Sequence, residues 1–98
     1  MLPSKIFLHQ IKKKIKFFCG VPDSILQEFI KNLNKDKSIN HYVCANEGSA
    51  TSLGIGYYLA KKKIPLVYFQ NSGLGNAINP LISIADKKVY SIPMLLLI

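Results

Sequence analysis

Apolar and polar positions along the chain fall into blocks that predict a regular succession of helices and strands. A helix-like start at 4–14 is followed by a strand at 15–19, a helix at 24–35, a strand at 39–45, a helix at 47–60, a strand at 64–70, a helix at 76–87 and a strand at 92–98. Strands alternating with helices in this way predict a parallel sheet. The helix at 24–35 has the sharpest pattern, with Ile25, Leu26, Phe29, Ile30 and Leu33 on one face and Glu28, Lys31 and Asn32 on the other. Asp23 or Ser24 is its expected N-cap, and Gln27, three residues after Ser24, forms a capping box with it. The strands at 16–19, 64–69 and 92–98 are nearly continuous apolar runs, as expected where helices cover both faces of a sheet. Pro65 and Pro93 stand at strand starts, where a missing N–H is tolerated. The predicted fold class is therefore α/β, a parallel sheet with helices on both faces.

Right-handed crossovers place every strand-to-helix loop at the carboxyl edge of such a sheet. The loops there are Gly20 to Ser24, Asn46-Glu47, and Gln70 to Asn76. Glu47 is the only acidic residue between Asp36 and Asp86. Its position between Ala45 and Gly48 implies low solvent access, which raises a carboxyl pKa, while a helix N-terminus lowers it. Taken alone it is an ordinary first-turn glutamate. The following helix contains Gly48, Gly54 and Gly56, and each interior glycine costs about 1 kcal/mol relative to alanine. Something must approach this helix closely, either a helix of a partner subunit or a cofactor. Gly73-Leu74-Gly75-Asn76 lacks both the GxGxxG spacing and the lysine of a Walker loop. It predicts a tight turn bringing backbone and the amides of Gln70, Asn71 and Asn76 up to a ligand. Pro80 sets the start of the next helix between Gly75 and Asn79.

Composition narrows the function classes. The 98 residues make one domain or part of one, without internal repeats or linkers. The formal charge of +8 comes entirely from lysine, and no arginine is present to make bidentate contacts to bases or phosphates. The lysines cluster separately at 12–16, 31–37, 61–63 and 87–88, a solvated surface rather than a nucleic-acid interface. Cys19 and Cys44 have no CxxC spacing and no histidine close by in sequence, which excludes a zinc motif. They are expected to be small buried hydrophobes in a reducing compartment. His9 and His41 are expected to be structural, and no Ser-His-Asp or Cys-His arrangement can be built at the three loops. Ile6-Phe7-Leu8 runs directly into lysines without the apolar core and cleavage site of a signal peptide, so a cytoplasmic location is expected. Ile92 to Ile98 is too short for a bilayer, which needs about 20 apolar residues, and no membrane association is expected.

Five segments carry a resemblance: Phe18 to Ser24, Ala45-Asn46-Glu47-Gly48-Ser49-Ala50, Gly56 to Ala60, Gln70 to Pro80, and Tyr90 to Ile98. They resemble the N-terminal pyrimidine-binding domain of the phosphonopyruvate decarboxylase family, with sulfopyruvate decarboxylase alpha subunits close behind. The likeness covers about residues 5–98 and is most specific from Gln70 to Pro80. It implies that Glu47 hydrogen-bonds N1′ of the aminopyrimidine of thiamine diphosphate, favouring the iminopyrimidine tautomer whose 4′ nitrogen removes the thiazolium C2 proton. It further implies that Asp23 and Ser24 lie in a loop reaching the substrate, and that Asn71, Gly73 and Asn76 border the pyrimidine pocket. Asn46 replaces the histidine common in the wider superfamily, which fits the phosphonopyruvate and sulfopyruvate branch.

The resemblance implies a partial pyrimidine domain over residues 1–98, expected to be truncated at the C-terminus. The diphosphate-binding domain with its Gly-Asp-Gly motif and magnesium ligands is expected to lie outside residues 1–98, so Mg2+ is expected in another domain or chain. The expected partners are that domain or subunit, in a homo- or hetero-oligomer, and a 2-oxo acid substrate. The expected reaction converts 3-phosphonopyruvate to phosphonoacetaldehyde and CO2. The alternatives are a sulfopyruvate decarboxylase alpha subunit and a non-catalytic remnant or interaction module. The isolated chain is expected to be inactive and marginally stable, because strand 92–98 ends without a covering helix.

Overall fold

Four short strands form one parallel sheet in a computed structural model that describes residues 3–98. The first two residues of the expected domain, Met1 and Leu2, lie outside the described residues. The strands are β1 (Phe17–Gly20), β2 (Asn40–Val43), β3 (Leu66–Tyr68) and β4 (Leu95–Leu97), in the order β2-β1-β3-β4. Phe18 registers with His41 on one side and Leu66 on the other, and Leu66 in turn with Leu95. The two central strands are buried throughout, as their unbroken apolar sequences require. β4 is an edge strand with Leu95 and the adjoining Ile98 exposed, in keeping with the expectation that strand 92–98 lacks a covering helix.

Alternation of side chains along β1 divides the core into two layers. Phe18 faces a cluster with Leu8 of α1 (Ser4–Ile11), Phe29, Ile30 and Leu33 of α2 (Gln27–Lys35), Leu66 and Tyr68 of β3, and Ile15. Phe17 and Cys19 face the other way, towards Ala50, Val67, Phe69 and Ala77, under α3 (Glu47–Lys61) and α4 (Leu74–Pro80). Helices thus cover both faces. The radius of gyration, 12.8 Å, is that of a folded domain of this length, about 13 Å.

Two helix starts differ from the sequence expectation. α2 begins at Gln27 rather than 24, because Asp23 Oδ1 accepts from the N–H groups of Ile25 (2.7 Å) and Leu26 (3.0 Å) and holds residues 24–26 in a turn. No side-chain cap bond from Ser24 completes a capping box. α4 begins at Leu74, directly after a 3-10 turn at Asn71–Gly73, and runs into Pro80 instead of starting near it. Pro80 has no N–H for the Asn76 carbonyl, so the helical ladder breaks there. The chain continues as a π-helical turn over Leu81–Ala85, with the Leu81 N–H shared between the Ala77 and Ile78 carbonyls.

Both cysteines are free. Cys19 donates to the Ala50 carbonyl at 3.3 Å, and burial, reinforced by the nearby Cys44, pushes its thiol up to about 12. It therefore serves as a small core hydrophobe. His41 is satisfied as a structural residue: its Nδ1 pairs with Asn34 Oδ1 at 2.8 Å and its Nε2 with the Tyr68 hydroxyl at 2.6 Å. The Asn34 oxygen accepts only, so the ring proton sits on Nδ1, and Nε2 accepts from Tyr68. Burial holds His41 below the ordinary histidine range, which keeps this tautomer neutral. To reach His41 the Tyr68 side chain passes over Gly20, where any β-carbon would collide with the Tyr68 ring and carbonyl.

Candidate active site

Asn46 and Glu47 open α3 at the carboxyl edge of the sheet. Asn46 is the N-cap in extended backbone, φ −151° and ψ 168°, and its side-chain oxygen accepts from the Ser49 N–H at 2.9 Å. This cap fixes Glu47 as the first helical residue. The Glu47 carbonyl is held by the hydroxyl of the fully buried Thr51 at 2.9 Å. Thr51 is not among the residues expected at the site; its spacing, four residues after the carboxylate on the buried face of the helix, is the available signal.

The carboxylate turns towards the loop after β3. Asn76 Nδ2 donates to Glu47 Oε2 at 2.9 Å, and Gly73 lies against the rest of the carboxyl group so closely that a β-carbon would overlap it. Glu47, Gly73 and Asn76 are thus brought together from two loops, with Glu47 only 9% exposed. The Asn76 amide, followed by Glu47's own backbone N–H, holds the carboxyl below the ordinary glutamate range against the opposing effect of burial. Burial does not win. A depressed folded-state pKa contributes stability that is present above the unfolded value and lost as pH falls through the folded value. Asn76→Ala is accordingly expected to raise the Glu47 pKa, read by carboxyl carbon NMR titration. An unchanged midpoint would remove Asn76 as the positioning residue.

The small residues of α3 are accounted for largely within the chain. A β-carbon at Gly48 would stand 2.8 Å from the Asn76 carbonyl oxygen, and one at Gly54 would stand 2.8 Å from Val67 Cγ2. The close neighbours at those two positions are α4 and β3, not a partner helix or a cofactor. Gly56 has open space beside it.

The other expected residues are less closely gathered. Asn71 is exposed in the 3-10 turn, and its carbonyl accepts the Leu74 N–H; no side-chain bond ties it to Glu47. Asp23 spends Oδ1 on its own loop, while Oδ2 is buried without a hydrogen-bond partner. Ser24 is exposed beside it. The β1 loop is stitched to its neighbours by Cys44 N–H to the Gly20 carbonyl at 2.8 Å and Val21 N–H to the Tyr68 carbonyl at 3.1 Å. Among the described residues no group of three or more His, Cys, Asp or Glu side chains is gathered to hold a metal ion. Among the described residues no helix is long and apolar enough to cross a membrane.

Residues 3–98 match the family described as thiamine pyrophosphate enzyme, N-terminal TPP binding domain. The chain is also similar to the sulfopyruvate decarboxylase subunit alpha of Methanocaldococcus jannaschii, 39% identical over 84 residues, covering 86% of this chain and 48% of that protein. The subunit of the same name from Methanococcus maripaludis matches with the same identity and coverage. The chain therefore spans about half the length of the curated relatives it matches.

Proposed function

We propose that this chain, which belongs to the N-terminal TPP binding domain family of thiamine pyrophosphate enzymes, supplies the pyrimidine side of a 2-oxo acid decarboxylase site whose substrate is sulfopyruvate. The observation that carries this is the buried carboxylate of Glu47, set against Gly73 and bonded to Asn76 at the carboxyl edge of the sheet. A single ionised carboxylate with one oxygen engaged by an amide fits a ring nitrogen that must gain and lose a proton. Bound thiamine diphosphate supplies the electron sink into which a 2-oxo acid loses CO2. Glu47 holds the proton at the pyrimidine ring nitrogen, Asn76 orients the carboxylate, and Gly73 leaves the space in which it lies.

Asp23 and Ser24 divide the substrate side of this proposal between them. The unpaired Asp23 Oδ2 is an acceptor and fits a polar hydrogen, since an anionic 2-oxo acid would be repelled by it. The Ser24 hydroxyl can donate to such an anion. Asn71 borders the pyrimidine pocket only if its exposed side chain turns inward. Magnesium and the diphosphate are held by a separate domain or subunit.

Sulfopyruvate takes precedence over the phosphonopyruvate expected from the sequence because the matched relatives carry the sulfopyruvate name. Mixing the chain with a complementary diphosphate-binding subunit, magnesium and thiamine diphosphate, then following CO2 release with both 2-oxo acids in competition, tests the proposal. Preferential turnover of sulfopyruvate is expected. Preference for phosphonopyruvate would overturn the substrate assignment, and turnover of neither would leave the chain as a non-catalytic interaction module.

A further inference from the structure

At the opposite edge of the sheet from Glu47, α1 and α2 enclose an open cleft of about 430 Å³. Its position follows from the chain order: Lys35 to Lys37 lead into β2, whereas Glu47 follows it. Lys5 and His9 line it from α1 and Lys12 from the residue that caps that helix, while Lys35 ends α2 and Lys37 follows two residues later. Four lysines and a single acidic residue, Asp36, thus line the cleft. Asp36 is fully occupied. It accepts from Lys12 at 2.8 Å and from the Ser38 N–H at 2.9 Å, and the Lys12 ammonium, with the Ser38 bonds, holds its carboxyl well below the usual range. Among the described residues Lys5, Lys35 and Lys37 have no carboxylate within ion-pair distance.

We propose that this cleft binds a small polyanion carrying two or more phosphoryl groups. Single exposed lysine contacts are worth about 0–1 kcal/mol each, so a monovalent anion gains little, whereas one ligand spanning several ammonium groups adds their contributions. The volume falls in the range of small-molecule sites, about 300–1,000 Å³. The four lysines share one concavity, which the lysines at 61–63 and 87–88 do not line. The geometry therefore favours a compact ligand over an extended polymer.

Isothermal titration of the chain with pyrophosphate at fixed ionic strength tests this. One saturable site is expected. Combined Lys35→Gln and Lys37→Gln should weaken it by about fivefold or more, the sum of two exposed charge contacts. Lys87→Gln with Lys88→Gln, which removes equal charge outside the cleft, should leave the affinity unchanged. Amide NMR shifts on titration should concentrate at residues 5–12 and 32–37. Equal losses in the two double variants would show attraction by net charge alone and overturn the proposal. So would shifts centred on another face, the lack of saturable binding, or a polyglutamate peptide that binds the cleft where pyrophosphate does not.

Discussion

Glu47→Gln is expected to lower decarboxylation by about 10²–10⁴-fold, the range for removal of a positioned proton-transfer group. Glutamine keeps the length of the side chain and an oxygen for Asn76 to bond, so the loss isolates the proton-holding function from packing. The thermal midpoint should stay close to that of the parent chain, measured by circular dichroism in parallel with CO2 release in the reconstituted assembly. Glu47→Ala should be at least as inactive while also losing the bond from Asn76. A fall of less than tenfold for the glutamine variant, with the fold intact, would end the assignment of Glu47 as proton partner.

Gly73→Ala should be nearly as damaging by a different route. Gly73 has φ −90° and ψ −2°, a conformation open to any L-residue, so backbone strain is not at issue. What alanine meets is the Glu47 side chain. That side chain is flexible and can swing aside, at a cost of about 0.5–1.5 kcal/mol for a non-rotameric torsion. Stability should therefore drop little, whereas a carboxylate displaced by about 1 Å can cost 10²-fold in rate. The expected signature is a large loss of turnover with a small change in thermal midpoint. Gly75 supplies the contrast, because its β-carbon would enter open space. Alanine there should stabilise α4 by about 0.5–1 kcal/mol. Wild-type turnover in Gly73→Ala would show that the approach to Glu47 has no functional weight.

The alternation of apolar runs with amphipathic segments was enough to place all four strands and the long helix α3, and for the central strands β1 and β3 burial on two faces leaves a direct mark on composition. What the pattern could not convey was competition for backbone groups. Asp23 is a good cap by residue type, yet both of its bonds close a turn ahead of α2, and no propensity distinguishes those outcomes. Pro80 predicts a helix start because its ring suits a first turn, but here it ends α4 and is followed by a π-helical turn. The glycines of α3 signalled a close neighbour without saying which; the Asn76 carbonyl and Val67 became visible only when the chain was folded. In the site, Glu47 was identifiable from its isolation among uncharged residues together with the resemblance. Its bond with Asn76, 29 residues on, depends on the loop after β3 turning back over α3, and nothing local encodes that. Asn71 showed the converse, a residue of suitable type in the expected loop that the 3-10 turn directs outward.

The imidazole–phenol bond between His41 and Tyr68 joins β2 to β3, two strands that share no ladder because β1 runs between them. β2 is otherwise an exposed edge, with Tyr42 and Val43 open to solvent, and an edge strand held only by its ladder is the first to peel away. Fastened to β3 by a side-chain rivet over Gly20, it cannot separate from β1 without also breaking that joint. β2 ends just before Asn46-Glu47 and β3 just before the turn to Gly73 and Asn76, so the two loops that meet at the carboxylate are moored to one another from below as well as above. The spacing between Glu47 and Asn76 is in this way set by a sheet that behaves at that end as a single braced plate.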